Sequence, residues 1–138
     1  MTGADGPVAM LAREAGSLVE RLRLWTPQRF AAAVVPGRSR GDVVHHLAQA
    51  LADLEGAAPV RLPRLDSDLA LPDQLAVTAD DLVRSGPPDD VARSTTAHVL
   101  LHRRELLGDE VPPGLAHALG LDDVLAAGRA GCELPPGP

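Results

Sequence analysis

Lysine, asparagine, isoleucine and tyrosine are all missing from this 138-residue chain, and cysteine, tryptophan and phenylalanine occur once each. Each gap closes something off. A single cysteine, Cys132, allows no intramolecular disulfide and no cysteine-built zinc knuckle. With Trp25 and Phe30 as the only aromatic residues, the chain has no row of rings on which bases could stack. Its charge points the same way, because all 13 basic residues are Arg and face 19 acidic ones, for a net charge of −6. Nucleic acid is therefore excluded as an expected partner. No apolar run approaches membrane-spanning length, so no membrane partner is expected. Met1–Pro7 has no basic stretch leading into an apolar one, so no secretory leader is expected and a soluble cytoplasmic protein is the default.

Arg, Ala, Gly and Pro are abundant in their place, a bias that follows GC-rich codons and describes the genome before it describes the protein. Apolar residues make up 45% of the chain, enough for the modest aliphatic core of one domain spanning 1–138. The core is expected over 8–127, with 128–138 as a flexible tail.

Proline and glycine divide the chain into four amphipathic stretches, and almost nothing has the alternation of a strand. The first helix is expected from Val8 to Trp25, with Leu11, Ala15, Leu18 and Leu22 on one stripe, and Pro27 ends it. The second starts at Ser39 or Asp42, either of which can cap it, and runs to Glu55 with Val43, Leu47, Leu51 and Leu54 aligned. After a loop from Ala57 to Leu71, the third runs from Pro72 to Arg84. The fourth runs from Asp89 or Asp90 to Leu107 and is closed by Gly108. A short extra helix over Pro113–Ala127 completes an all-α fold, a four-helix bundle with antiparallel neighbours.

Five histidines are the most informative feature. His98 and His102 stand four apart on the fourth helix, so their imidazoles point the same way, in one narrow stripe with Val91 and Glu105. Two histidines at that spacing can share a metal ion, or can be two unrelated rings bonded to backbone and carboxylate partners. On the second helix, His46 falls roughly 110° from the centre of the apolar stripe and His45 roughly 150°. His46 is expected at the border of the buried face and His45 in solvent. One histidine from the second helix and the pair from the fourth can converge at one end of a bundle. Three protein ligands leave a position for water or substrate, as in catalytic metal sites. His117 is expected at the surface.

Other residues support two interpretations each. Glu105 can accept a hydrogen bond from His102 or act as a general base, or it can be a surface acid near Arg103 and Arg104. Those two arginines can bind an anionic substrate or lie on a solvated face, and Asp80 and Asp81 are expected in solvent. Arg38 and Arg40, at the entry of the second helix, can meet a carboxylate. Trp25 is expected as a core plug. Cys132, with no basic neighbour closer than Arg129, has no reason to be a nucleophile.

The stretch Trp25–Leu47, WTPQRFAAAVVPGRSRGDVVHHL, resembles the first half of the DinB-like proteins, in particular the branch of the mycothiol-dependent maleylpyruvate isomerases. There the second helix is entered through a Gly-Trp-Thr-Val-Arg-Asp-type segment and its motif ends in His-Leu. Gly37, Asp42 and His46-Leu47 hold those places here. On the fourth helix the family's pattern is matched by His98, His102 and Glu105-Leu106, followed by Gly108 and Pro112-Pro113. The resemblance covers about residues 10–125. Arg38 stands where the family has Trp, Gly41 where it has Arg, and His98 where the isomerase branch has Glu. The isomerase also carries a second, C-terminal domain for which this chain leaves no room, so maleylpyruvate isomerisation itself is not carried over.

What the resemblance implies is a DinB-like four-helix bundle holding a divalent metal, zinc or nickel, at His46, His98 and His102. It also implies a low-molecular-weight thiol such as mycothiol, used on a small electrophilic substrate. The opposing expectation is a non-enzymatic helical module that keeps the frame and uses an apolar face for dimerisation or partner binding. A homodimer is compatible with either.

Overall fold

Apolar residues at helical spacing become four long helices whose stripes face one another. The computed structural model describes residues 6–55 and 60–121. The long helices are α1 (Pro7–Leu22), α3 (Arg40–Glu55), α4 (Leu71–Arg84) and α5 (Asp89–Leu107). Between the first two lie a short helix α2 (Pro27–Ala31) and a hairpin of β1 (Ala33–Val35) and β2 (Arg38–Ser39), and a short α6 (Pro113–Ala118) follows α5. The fold is all-α, with two very short strands among the described residues.

Local chemistry sets the boundaries. The residue before a proline is pushed into extended backbone, and Thr26, at φ −82° and ψ 161°, obeys this before Pro27. Helix α1 therefore stops at Leu22, short of the expected Trp25, and Thr26 caps α2 by accepting the Arg29 N–H. The hairpin was not expected. Val35 pairs with Arg38 across Pro36-Gly37, and Gly37 takes φ +82°, as the third position of a proline-led type II turn requires. At the start of α3, Ser39 Oγ accepts the Asp42 N–H at 3.1 Å while an Asp42 carboxylate oxygen accepts the Ser39 N–H at 2.9 Å. Both candidate caps thus work together, as a reciprocal capping box. Helix α5 ends at Gly108 in the left-handed conformation. Helix α6 is shorter than expected, closing at Gly120 (φ +70°), and the rest of the expected extra helix, 122–127, lies outside the described residues.

Helix α1 packs against α4 and α5, and α3 packs against the same two. Ion pairs fix the directions. Arg21, at the end of α1, meets Asp109 just past α5 at 3.5 Å, Arg23 meets Asp73 at the start of α4 at 3.2 Å, and Arg38 meets Glu105 near the end of α5 at 3.4 Å. One end of the bundle thus gathers the C-termini of α1 and α5 with the N-termini of α3 and α4. The order is up-down-down-up, so α3 and α4 are parallel neighbours rather than antiparallel ones. A helix of α3's length spans about 24 Å, and the connection 56–70 is long enough to return along all of it.

The main core runs through the four long helices and includes Leu11, Leu18, Leu22, Val43, Leu47, Leu51, Leu75 and Leu82. Trp25 plugs it from the end, against Phe30 at 5.1 Å between ring centroids, with the Arg29 guanidinium 4.6 Å above its ring. The buried threonines Thr78, Thr95 and Thr96 return their hydroxyls to carbonyls of the preceding helical turn, so their polarity is satisfied inside the helix. A smaller cluster of Leu100, Val111, Ala116 and Leu121 seats α6. No described helix is long and apolar enough to cross a membrane.

Candidate functional site

Helix α3 carries two histidines in succession, and its buried face decides what each can reach. That face consists of Val43, Val44, Leu47, Ala48 and Leu51. Leu54, expected on the stripe, is 41% exposed at the helix end beyond the core. Gaining Ala48 and losing Leu54 turns the centre of the buried face, leaving His45 and His46 each about 130° from it on opposite flanks. The expected contrast between the two is therefore corrected. His46 is exposed and His45 half-buried.

The cover on His45 comes from the returning connection. Gln49 accepts the Leu62 N–H at 2.8 Å and donates to the Val60 carbonyl at 2.7 Å. His45 Nε2 lies 3.2 Å from the Leu62 carbonyl, and Asp42 takes the guanidinium of Arg64 at 3.3 Å. Asp42, His45 and Gln49 stand at steps of three and four, one face of the helix, so residues 60–64 form an extended strap laid along it. Gly41 permits the close approach at its upper end, because a Cβ there would stand 2.9 Å from Asp68 Oδ2. The sequence carries no local signal for this strap, since its partners are far apart along the chain.

His46, on the other flank, faces α5. Its ring centroid is 5.7 Å from that of His102, with planes at 27°, and His102 is 6.4 Å from His98. The three candidate ligands are thus brought together across the α3–α5 seam, near the end of the bundle where the ion pairs collect. His98 is exposed and His102 half-buried. His102 Nδ1 lies 2.7 Å from the His98 carbonyl. A carbonyl can only accept, so Nδ1 carries the proton and the lone pair is left on Nε2. Burial above all, aided by the neighbouring His46 and His98, holds His102 below the ordinary imidazole range, against the opposing pull of that carbonyl and of Glu105. Burial thus disfavours the charged form of His102, and its Nε2 has no hydrogen-bond partner among the described residues.

Glu105 stands one turn beyond His102 on the same helix but spends its carboxylate on Arg38, at 3.4 Å across the seam. Its charge favours a proton on His102. The Ser39 N–H first, then the Ser39 hydroxyl and Arg64, hold the Asp42 carboxyl below its usual range, against burial. Burial works to lower the Arg64 pKa, but Asp68 and Asp42 together raise it.

The remaining candidates are structural or peripheral. Arg103 is not on a solvated face. It bridges Glu14 of α1 at 3.6 Å and Asp109 at 3.3 Å, and is 22% exposed. Asp80 and Asp81 are exposed, Asp80 pairing with Arg84. His117 is exposed on α6, and Cys132 lies outside the described residues.

As they stand, no three His, Cys, Asp or Glu side chains among the described residues form a metal-holding group. Metal–nitrogen bonds of about 2 Å place the ring centroids of a three-histidine site about 5 Å apart. The His46–His102 separation exceeds that by less than an ångström and the His98–His102 separation by somewhat more. His46 and His98 are both exposed. No family model matches the chain, and no curated protein or solved structure matches it.

Proposed function

We propose that this protein is a DinB-like, metal-dependent enzyme in which His46, His98 and His102 hold one divalent ion, zinc or nickel. It would act on a small electrophilic substrate with a low-molecular-weight thiol such as mycothiol. The observation that carries the metal is the meeting of three imidazoles from two helices across one seam. A set of three imidazoles suits zinc and nickel, and the His102 Nδ1 hydrogen bond to a carbonyl is the arrangement that orients a ligating histidine. When bound, the ion supplies Lewis acidity that lowers the pKa of a thiol or water in its open position.

The chain's own residues set the rest. His102, oriented by its carbonyl partner, would be the anchoring ligand, with His46 of α3 and His98 of the preceding α5 turn completing the set. Arg38 holds the Glu105 carboxylate one helical turn beyond His102, where it would be the proton acceptor available to a bound thiol. The thiol itself is taken over from the resemblance of the motifs. The direct test is metal analysis of the purified full chain, with thermal unfolding in added zinc and nickel. A bound ion that is lost in His102→Ala is the expected result. A chain that retains no metal and gains no stability from either ion would overturn the proposal.

A second reading has one observation in its favour. Between α1 and α4 runs a groove of about 430 Å³ whose lining joins small apolar residues such as Ala12, Ala15 and Ala76 to the charged Glu20, Arg23 and Asp80, with Val77 59% exposed. A non-enzymatic module that buries this groove against a partner or a second copy has no need of three converging imidazoles. Metal retention therefore separates the two.

A further inference from the structure

On the outward side of α3, between its two flanks, lies a groove of about 360 Å³ whose lining includes Arg38, Arg61 and Arg64, the carboxylate of Asp42, and both His45 and His46. Arg64 is matched by Asp42 and Asp68 and Arg38 by Glu105, so Arg61 is the one guanidinium of the three whose charge has no carboxylate beside it among the described residues. The three come from β2 and from two points on the strap, so only the fold brings them together.

Most of the polar groups here are already engaged. Arg64 gives Nη1 to Asp68 at 2.8 Å and Nε and Nη2 to Asp42. Gln49 spends both ends of its amide on the strap backbone and Asp53. His45 faces the Leu62 carbonyl, and Arg38 uses one nitrogen on Glu105 at the long distance of 3.4 Å. Arg61 is exposed and, among the described residues, has no hydrogen-bond or ion-pair partner. The capacity left over is the whole five-donor fork of Arg61, the remaining nitrogens of Arg38 and the His46 ring. Two planar guanidiniums with donors to spare match an oxyanion, which accepts two parallel N–H bonds from each fork.

We infer that this groove binds the oxyanion end, carboxylate or phosphate, of a small molecule, gripped by Arg61 and Arg38. His46 lines the groove and also belongs to the histidine cluster, so a ligand held there has its other end beside His98 and His102. The inference thus rests on the proposed site only for what happens at that second end, and it assigns that site's substrate an anionic group.

The test is a titration of the full chain with succinate and, separately, with inorganic phosphate, followed through backbone amide resonances. Saturable shifts confined to residues 38–49 and 60–64 are expected with at least one of the two, and which one saturates identifies the group. Arg61→Gln is expected to weaken that binding about tenfold, the worth of one charge-assisted pair. Arg84→Gln, on the exposed face of α4, is the control and leaves it unchanged. No saturable shift with either anion, or equal losses in both variants, would overturn the inference. Failure of the metal reading is scored separately, in a chain carrying His98→Ala and His102→Ala. Anion binding that persists there while metal is lost upholds the groove by itself, whereas anion binding lost there would place the anion on the histidines and overturn the assignment to Arg61 and Arg38.

Discussion

His102 shows how one side chain combines several constraints. Its Nδ1 proton is held by the carbonyl four residues back, and its burial disfavours the imidazolium. Protonation at mildly acidic pH is therefore resisted in the folded chain but not in the unfolded one, where an imidazole titrates near 6.5. The sign follows from that difference. As pH falls below about 6.5 the unfolded state gains a proton that the folded site resists, so stability drops and continues to drop down to the lowered folded value. Urea unfolding of chelator-treated protein between pH 7.5 and 5 is expected to show this slope, and His102→Gln to flatten it. Metal binding is expected to fall over the same range, because each imidazole must be neutral to coordinate. His98→Glu is expected to keep part of the metal, a carboxylate being an acceptable ligand. His102→Ala is expected to lose it, and metal analysis of the two variants side by side checks both.

Among the elements, α3 carries the most. Its first turn is held by the reciprocal Ser39–Asp42 cap, one flank by the strap, and the other by the seam with α5. Ser39→Ala removes one half of the cap, and a loss of about 1 kcal/mol in denaturant unfolding is expected. The cap is also pH-dependent. Asp42 has its folded pKa lowered, so its contribution is intact above the ordinary aspartate value of about 3.9 and is lost as pH falls through that value and below. The strap depends on Gln49, the one α3 side chain that bonds its backbone twice. Gln49→Ala is expected to speed amide exchange at Leu62, whose N–H has Gln49 Oε1 as its partner, while exchange within α5 stays as it is. Unchanged protection at Leu62 would mean that the strap is held by other contacts.

For the molecule as a whole, stability and the site share one end of the bundle. Trp25, Phe30, the hairpin and the Arg21, Arg23 and Arg38 ion pairs all collect there. The ion pairs are exposed and set direction more than they stabilise. The aromatic plug does the reverse. Phe30→Ala, at a fully buried position, is expected to cost about 3–5 kcal/mol. Because α2 leads through the hairpin directly into α3, the same variant is expected to weaken metal retention without touching a ligand. Chemical denaturation and metal analysis of that one variant measure both effects.

The amino-acid order by itself determined the helices, because stripes at helical spacing, prolines and capping residues act within a few positions of one another. The ends of α4 and α5, the Gly108 stop and the pairing of His98 with His102 all lay within that range, and Pro36-Gly37 was a turn signal strong enough to have exposed the hairpin. Tertiary structure alone decided which histidine of the adjacent pair would be covered. The strap comes from residues 60–64, and its hold on Gln49, His45 and Asp42 is a long-range contact that no local pattern encodes. It likewise decided that α3 and α4 run parallel, since only the packed bundle shows where the long connection returns. The arrival of Arg61 at the groove of Arg38 and His46 has the same origin: it comes from the strap, beyond the far end of α3, and folding alone makes it their neighbour.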